Sequence, residues 1–272
     1  MVILNDLYSL PFFQHALYAC VLLSIICGIV GSYVVLKKLS FLSGSISHSA
    51  FGGIGMALYY GFNPLLGALG FGVLTAILIE WIRQHFQQER HVLIALVWSL
   101  GMSIGIIFLN LYKGFAPDLN AFLFGNILLC GLDDIIVMAC FSVVILALNV
   151  LYFRSLQAIS FDEEYAKVIN LPVKTLNFLL SIFIGISTIL LIKAVGITLA
   201  IALFILPAAI GKNLSYSLKK IQYIAIFFTL ISTFIGVLVS YLYNQPSGPV
   251  IVLTLSFFYL MSLCFKKKLK LC

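Results

Sequence analysis

The chain has 272 residues, 62% of them hydrophobic and only 9% charged, with a mean hydropathy of +1.15. Soluble domains run near half apolar and a quarter charged, so 16 basic and 9 acidic side chains cannot coat a 30.1 kDa globule. These values exclude a soluble enzyme, a nucleic-acid-binding module and a disordered chain; they specify a polytopic membrane protein whose net charge of +7 marks cytoplasmic loops rather than an anionic ligand.

The N-terminal stretch MVILNDLYSLPFFQ contains no Lys or Arg. It lacks the basic segment of a signal peptide, so the first apolar run is expected to stay in the mature chain. A spanning helix needs about 20 mostly apolar residues. Such runs lie at about 12–36, 44–61, 64–82, 92–112, 133–153, 174–193, 195–212, 220–243 and 247–265. The 44–61 run is short and glycine-rich (Gly44, Gly52, Gly53, Gly55, Gly61), which makes it the place to expect a broken helix. A further piece, 120–130 (NAFLFGNILLC), is too short to span and is expected to be re-entrant or interfacial.

The charges test this count independently. If nine spans alternate sides, one side receives 14 of the 16 basic residues, among them Lys37, Lys38, Arg83, Arg90, Lys167 and the run Lys266, Lys267, Lys268. The other side receives Lys113 and Lys193, together with Asp6, Asp118, Asp133 and Asp134. That asymmetry predicts the N-terminus outside and the C-terminus in the cytoplasm. A count of eight would spoil it unless one run is re-entrant. The fold class is therefore all-α, a polytopic transmembrane helical bundle. No shift in composition divides the chain, so residues 1–272 are expected to form one domain.

Residues 154–173, RSLQAISFDEEYAKVINLPV, are the longest polar stretch and fall on the cytoplasmic side. Three consecutive acids, Asp162, Glu163 and Glu164, precede a short helical pattern that ends before Pro172. Ser160 and Glu163 have capping-box spacing, and acids in a first turn suit the helix dipole. A short, capped, charged helix between two spans is a handle for another protein.

Few residues in the apolar runs bring chemistry. His48, in LSGSISHSAFGGIGMA, is an ionisable group inside a span and is surrounded by Ser43, Ser45, Ser47 and Ser49. It is either a ligand or proton carrier on a translocation path or a histidine satisfied within a helix interface. Asp118 either contributes to an acidic outer rim that draws in cations or caps the 120–130 segment. Asn110 and Asn126 sit in apolar surroundings and are expected to find partners on neighbouring helices. Glu80 and Arg83 are spaced for a local ion pair, and Lys193 for snorkelling to the outer interface. Pro207, deep in VGITLAIALFILPAAIGKNL, is a hinge candidate or a packed bend. The six cysteines (Cys20, Cys27, Cys130, Cys140, Cys264, Cys272) form no CxxC and are expected to be reduced thiols. There is no GxxxxGK[ST], HExxH or GxSxG motif, so any ATP-driven step needs another polypeptide.

In their order and spacing, ISHSAFGGIG (46–55), APDLNAFLFGNIL (116–128), FDEEYAKVINLPV (161–173) and VGITLAIALFILPAA (195–209) resemble the permease family of bacterial ATP-binding-cassette importers for zinc and manganese. The resemblance covers about residues 15–265. It implies a multi-pass homodimeric permease of the bacterial cytoplasmic membrane, energised by separate cytoplasmic ATPase subunits and supplied by an external metal-binding protein. It also implies that His48 lines the metal path; Ser45, Ser47 and Asp118 are the further path candidates from the residue reading. Asp162, Glu163, Glu164, Ala166 and Pro172 would then form the coupling element facing the ATPase. On the same resemblance no cofactor is expected to be bound permanently, and a divalent metal, zinc or manganese before iron, is the expected cargo. Three positions depart from the family pattern. Gly44 stands where many members carry an aspartate four residues before the histidine, Gly52 where many have proline, and Asn170 where the loop usually has glycine.

Two other classes compete with this assignment. A secondary transporter driven by ions or protons would show paired acids or a basic residue mid-membrane and inverted repeats, and neither is visible. An intramembrane enzyme with His48 as base would need a nucleophile or carboxylate at depth, and none is evident.

Overall fold

Hydrocarbon offers no partner for a backbone N–H or C=O, so an apolar run in a membrane must pair its own backbone groups by becoming a helix. The computed structural model describes residues 11–86, 90–112 and 125–269, and every element among them is helical. In chain order these are α1 (Pro11–Leu36), α2 (Ser40–Tyr60), α3 (Pro64–Phe86), α4 (Arg90–Leu111), α5 (Leu132–Leu151), α6 (Phe153–Phe161), α7 (Glu163–Val168), α8 (Val173–Val195), α9 (Ile197–Leu214), α10 (Leu218–Tyr243) and α11 (Ser247–Leu269). A 3₁₀ turn at Ile127–Leu129 precedes α5.

Each of the nine apolar runs is a helix, and seven are long and apolar enough to cross a membrane: α1, α3, α4, α5, α8, α10 and α11. The other two differ for identifiable reasons. α2 has 21 residues, but serine and glycine dilute its apolarity. α9 has 18 residues, with its apolar part at Leu199–Leu214. The expected break in the 44–61 run does not occur, because its glycines are spent on packing and α2 continues to a left-handed Gly61 cap (φ 75°). Of the 120–130 piece, only 125–130 lies within the described residues.

The described residues divide into two compact units. One draws on Leu36–Leu119 and Tyr152–Leu190. Within it, α2 packs lengthwise on α3 and α4. A Cβ on Gly53 would lie 2.1 Å from the carbonyl oxygen of Gly67 in α3, and one on Gly55 2.6 Å from that of Gly105 in α4. Contacts between α2 and α4 climb together along both chains, from Ser45 with Ile94 to Gly55 with Gly105, so these helices are parallel. Contacts with α3 run the opposite way, Ser49 meeting Thr75 and Gly53 meeting Gly67.

The other unit draws on Met1–Val35, Asn120–Leu151 and Leu191–Cys272. In it α9, α10 and α11 pack on one another, and Gly31 of α1 presses on the carbonyl oxygen of Phe204. Tyr33 donates to Asn149 Oδ1 at 2.6 Å, and Gln222 Nε2 donates to the same oxygen at 3.1 Å. Pro207 is buried in an unbroken α9, where it deprives the Leu203 carbonyl of its intrahelical donor. Asn126 accepts from Ser247 at 3.2 Å, whereas Asn110 is exposed. Lys193 does not simply snorkel: it pairs with Asp134, which is buried and also accepts from the Gly131 amide at 3.0 Å. Asp134 therefore belongs to the packed interior rather than to a solvated rim. Among the described residues the cysteines are free thiols.

The glycine contacts make a direct test. Gly53→Val drives a side chain into the α3 backbone and is expected to cost about 1–3 kcal/mol, read as a lower thermal midpoint of the solubilised protein. Gly70→Ala on the same α3, where a Cβ meets nothing within 4 Å, is expected to be neutral or stabilising.

Candidate functional site

The serine-rich stretch of α2 carries the first set of candidate residues. Ser43, Ser45, Ser47 and Ser49 are completely buried, and each hydroxyl has found a backbone carbonyl. Ser43 donates to Ser40 O at 2.8 Å, Ser47 to Ser43 O at 2.9 Å, Ser45 across to Ile94 O at 3.0 Å, and Ser49 to Ile46 O at 3.1 Å. The local bonds follow from helix geometry, which puts a serine hydroxyl within reach of the carbonyl three or four residues back. His48 is half-buried among them. Its ring stacks on the indole of Trp98 in α4, with centroids 4.2 Å apart and planes 9° from parallel. Asp118 lies outside the described residues. No cluster of three His, Cys, Asp or Glu side chains that could hold a metal occurs among the described residues. Among the described residues the path candidates are the His48 imidazole and the hydroxyls of Ser45 and Ser47 on the same helix.

The second set lies in the polar stretch 154–173. The polar loop is two helices rather than one. Ser160 is not the cap, because the amphipathic α6 buries Leu156 and Ile159 and carries Ser160 inside its last turn, bonded to Leu156 O at 2.6 Å. The chain breaks at Asp162, whose carboxylate accepts from the amides of Glu164 (2.9 Å) and Tyr165 (3.1 Å) and so caps α7. At the other end the Leu171 amide donates to Ala166 O and the Asn170 amide to Lys167 O, both at 3.0 Å, a Schellman closure. That closure needs a left-handed residue, and Asn170 supplies it with φ 58°; asparagine tolerates this region almost as glycine does.

Six residues are too few for a helix to stand alone, and a buried lysine fastens this one. Lys37, between α1 and α2, has a side chain only 4% exposed. It donates to Glu163 Oε1 at 2.6 Å, Asn177 Oδ1 at 2.7 Å and the Ile159 carbonyl at 2.9 Å. Burial raises the affinity of the Glu163 carboxyl for a proton, but the Lys37 hydrogen bond and charge, helped by Arg83, outweigh it and hold that carboxyl below its ordinary range. Glu163 therefore faces inward, and Ala166, expected at the outer surface, is fully buried beneath α7. What α7 presents outward is Asp162, Glu164 paired to Lys167 at 2.7 Å, and the exposed apolar side chains Tyr165 and Val168. Pro172 is exposed as well. A cleft of about 560 Å³ opens beside it, with Arg83, Lys167, Asn170 and Lys174 in its lining. Glu80 and Arg83 form the ion pair their spacing predicts.

Lys37, Asn177 and Trp98 escaped the sequence reading. Lys37 was visible only as one charge among the basic residues, and its partners are far along the chain. Nothing in a tryptophan's neighbours announces a stack on a histidine 50 residues earlier.

A family model described as the ABC 3 transport family matches residues 9–266. A probable metal transport system membrane protein of Chlamydia trachomatis is 35% identical over 263 residues, covering 94% of this chain and 90% of that protein. A manganese transport system membrane protein of Listeria monocytogenes is 30% identical over 268 residues, covering 98% and 95%. Among solved structures, PsaBC from Streptococcus pneumoniae in complex with Fab superposes with a TM-score of 0.85 at 30% identity, covering 96% of this chain and 95% of the matched chain.

Glu163→Gln removes the charge partner of a buried ammonium. Its expected cost is about 1–3 kcal/mol, less than for a fully buried pair because Glu163 keeps part of its surface in water. The carboxyl titrates below its unfolded value, so its contribution is complete above pH 4.5 and is lost as pH falls through the lowered value. Thermal melting of the solubilised protein against pH should show that acid-side loss in the native chain and a flatter profile in Glu163→Gln.

Proposed function

The chain belongs to the ABC 3 transport family, and on that premise we propose that it is the membrane-spanning permease subunit of an ATP-driven importer for a divalent metal ion. The cargo is manganese first, in line with the naming of its relatives, with zinc and iron as the alternatives to be tested. The subunit works as a pair of copies in the bacterial cytoplasmic membrane. A separate cytoplasmic ATPase hydrolyses the ATP, and an external metal-binding protein delivers the cargo. The permease itself makes and breaks no covalent bond.

The observation that carries this reading is α7, capped at both ends, anchored underneath by Lys37, bearing Asp162, Glu164, Tyr165 and Val168 on its free side and followed by an exposed Pro172. A helix held this firmly from behind and left open in front suits a lever that a partner pushes. Glu163 and Ala166 serve as its mounting. Movement of the ATPase is then passed to the spans as near-rigid displacements. The topology that suits this has nine crossings, with α2 and α9 counted, the N-terminus outside and the C-terminus in the cytoplasm. The antiparallel run of α2 on α3 and its parallel run on α4 support counting α2. Metal passes His48, where one imidazole and nearby hydroxyl oxygens bind weakly enough to let it go. Pro207 is the bend about which α9 adjusts.

The test is co-expression with the candidate ATPase, then ATP hydrolysis in lipid with the metal-binding protein loaded in turn with manganese, zinc or iron. Stimulation by one loaded form supports the assignment and names the cargo. A stable chain that never captures an ATPase overturns it in favour of an ion- or proton-coupled secondary transporter. Glu164→Lys, which reverses charge only on the outer side of α7, is expected to weaken ATPase capture about tenfold at an unchanged melting temperature. His48→Ala is expected to cut metal uptake about tenfold or more with protein level maintained.

A further inference from the structure

Metal-binding histidines are usually oriented from behind, one ring nitrogen donating to a carboxylate or carbonyl so that the other points at the metal. Among the described residues no such hydrogen bond holds His48. What fixes its ring is the face of Trp98, 4.2 Å away and 9° from parallel. We propose that Trp98 is the positioning residue of the metal path, setting the plane of the His48 imidazole by stacking and favouring that imidazole when it carries a cation. This rests on the proposed role of His48.

Three physical points carry the inference. First, stacking occupies the face of the imidazole, whereas a metal binds in the plane of the ring through a nitrogen lone pair. The two interactions do not compete, and both ring nitrogens stay available. Second, an imidazole that donates a lone pair to a divalent ion becomes electron-poor, and an electron-poor ring over the electron-rich face of an indole is the favourable polarity of a cation–π contact. Indole is the strongest of the aromatic faces, and the separation is well inside the roughly 6 Å over which the attraction acts. Third, both residues are held in register. Each lies eight residues after the first residue of its helix, and α2 and α4 run parallel. The Ser45 bond to Ile94 lies below the pair and the contact of Gly55 with Gly105 lies above it. Backbones this close leave the two rings little freedom to separate. Trp98 thereby supplies what Gly44 cannot, since a glycine four residues before the histidine offers no side chain to hold or assist it.

The chain contains two tryptophans, Trp81 and Trp98, so Trp81→Phe leaves Trp98 as sole indole reporter. In the full-length Trp81→Phe protein, adding Zn²⁺ or Mn²⁺ alone is expected to change Trp98 emission saturably, and His48→Ala in that background is expected to abolish the change. In transport by the assembled complex, Trp98→Ala is expected to raise the half-saturating metal concentration about three- to thirtyfold with maximal rate largely kept. Trp98→Phe, which retains a ring face, should recover most of the loss. Emission indifferent to both metals overturns the proposal, as does a Trp98→Ala protein with unchanged half-saturation. If Trp98→Ala does not fold, Trp98→Phe and the emission experiment still decide. Loss of uptake in His48→Ala with normal Trp98 variants sinks only the stacking role; normal uptake in His48→Ala sinks the metal-path role of His48 itself.

Discussion

A bilayer provides no hydrophobic drive for one helix to touch another, because lipid tails are as apolar as leucine. Helices in it associate where backbones come close and where polar groups find partners. The unit containing α2 obeys that constraint throughout. Its glycines bring α2 to within backbone contact of α3 and α4, and its buried serines satisfy their hydroxyls on carbonyls. The weak apolarity that sets α2 apart from the seven plainly apolar spans is thus a result of what it packs against. A helix surrounded by others gains little from leucine and much from the absence of side chains.

That packing is also what fixes the geometry of the two candidate elements. His48 and Trp98 face each other because the flanking contacts fix the separation and register of α2 and α4. Elsewhere in the same unit, α7 is held through a lysine ammonium that meets a carboxylate, an amide oxygen and a helix-terminal carbonyl. A buried lysine with three good acceptors is stable only while all three are in place. The short helix, the end of α6 and the start of α8 consequently move together or not at all. The His48–Trp98 stack and the mounting of α7 are two outcomes of one assembly of short-range contacts.

Helix positions were legible because hydropathy is a local property; the nine apolar runs and nine long helices agree closely in place. What the sequence misstated were matters settled by neighbours in space. Gly52, Gly53 and Gly55 look like helix breakers in isolation, yet backbone approach makes them the reason α2 exists. Ser160 has capping spacing, but Leu156 and Ile159 keep it inside an amphipathic turn, and Asp162 takes the role two residues later. Asn170, a departure from the family's usual glycine, turns out to preserve the left-handed conformation the position requires. The acids Asp162, Glu163 and Glu164 were visible as a cluster, but not their orientation. Which acid points in and which points out depends on Lys37, 126 residues before Glu163, and no periodicity reaches that far.

The span of those contacts has a consequence for how the protein is made. Lys37 leaves the ribosome 122 residues before Ile159 and 140 before Asn177. At roughly 5–20 residues per second, its charge waits about 7–28 s for its last acceptor to be synthesised. Through that interval an ammonium cannot enter hydrocarbon alone, so the junction between the first two helices has to stay at the aqueous surface. The first four helices are thereby made while the seam around Lys37 is still unsealed. Translation of the α7–α8 segment closes it, making the last acceptor to arrive the step that completes this half of the molecule.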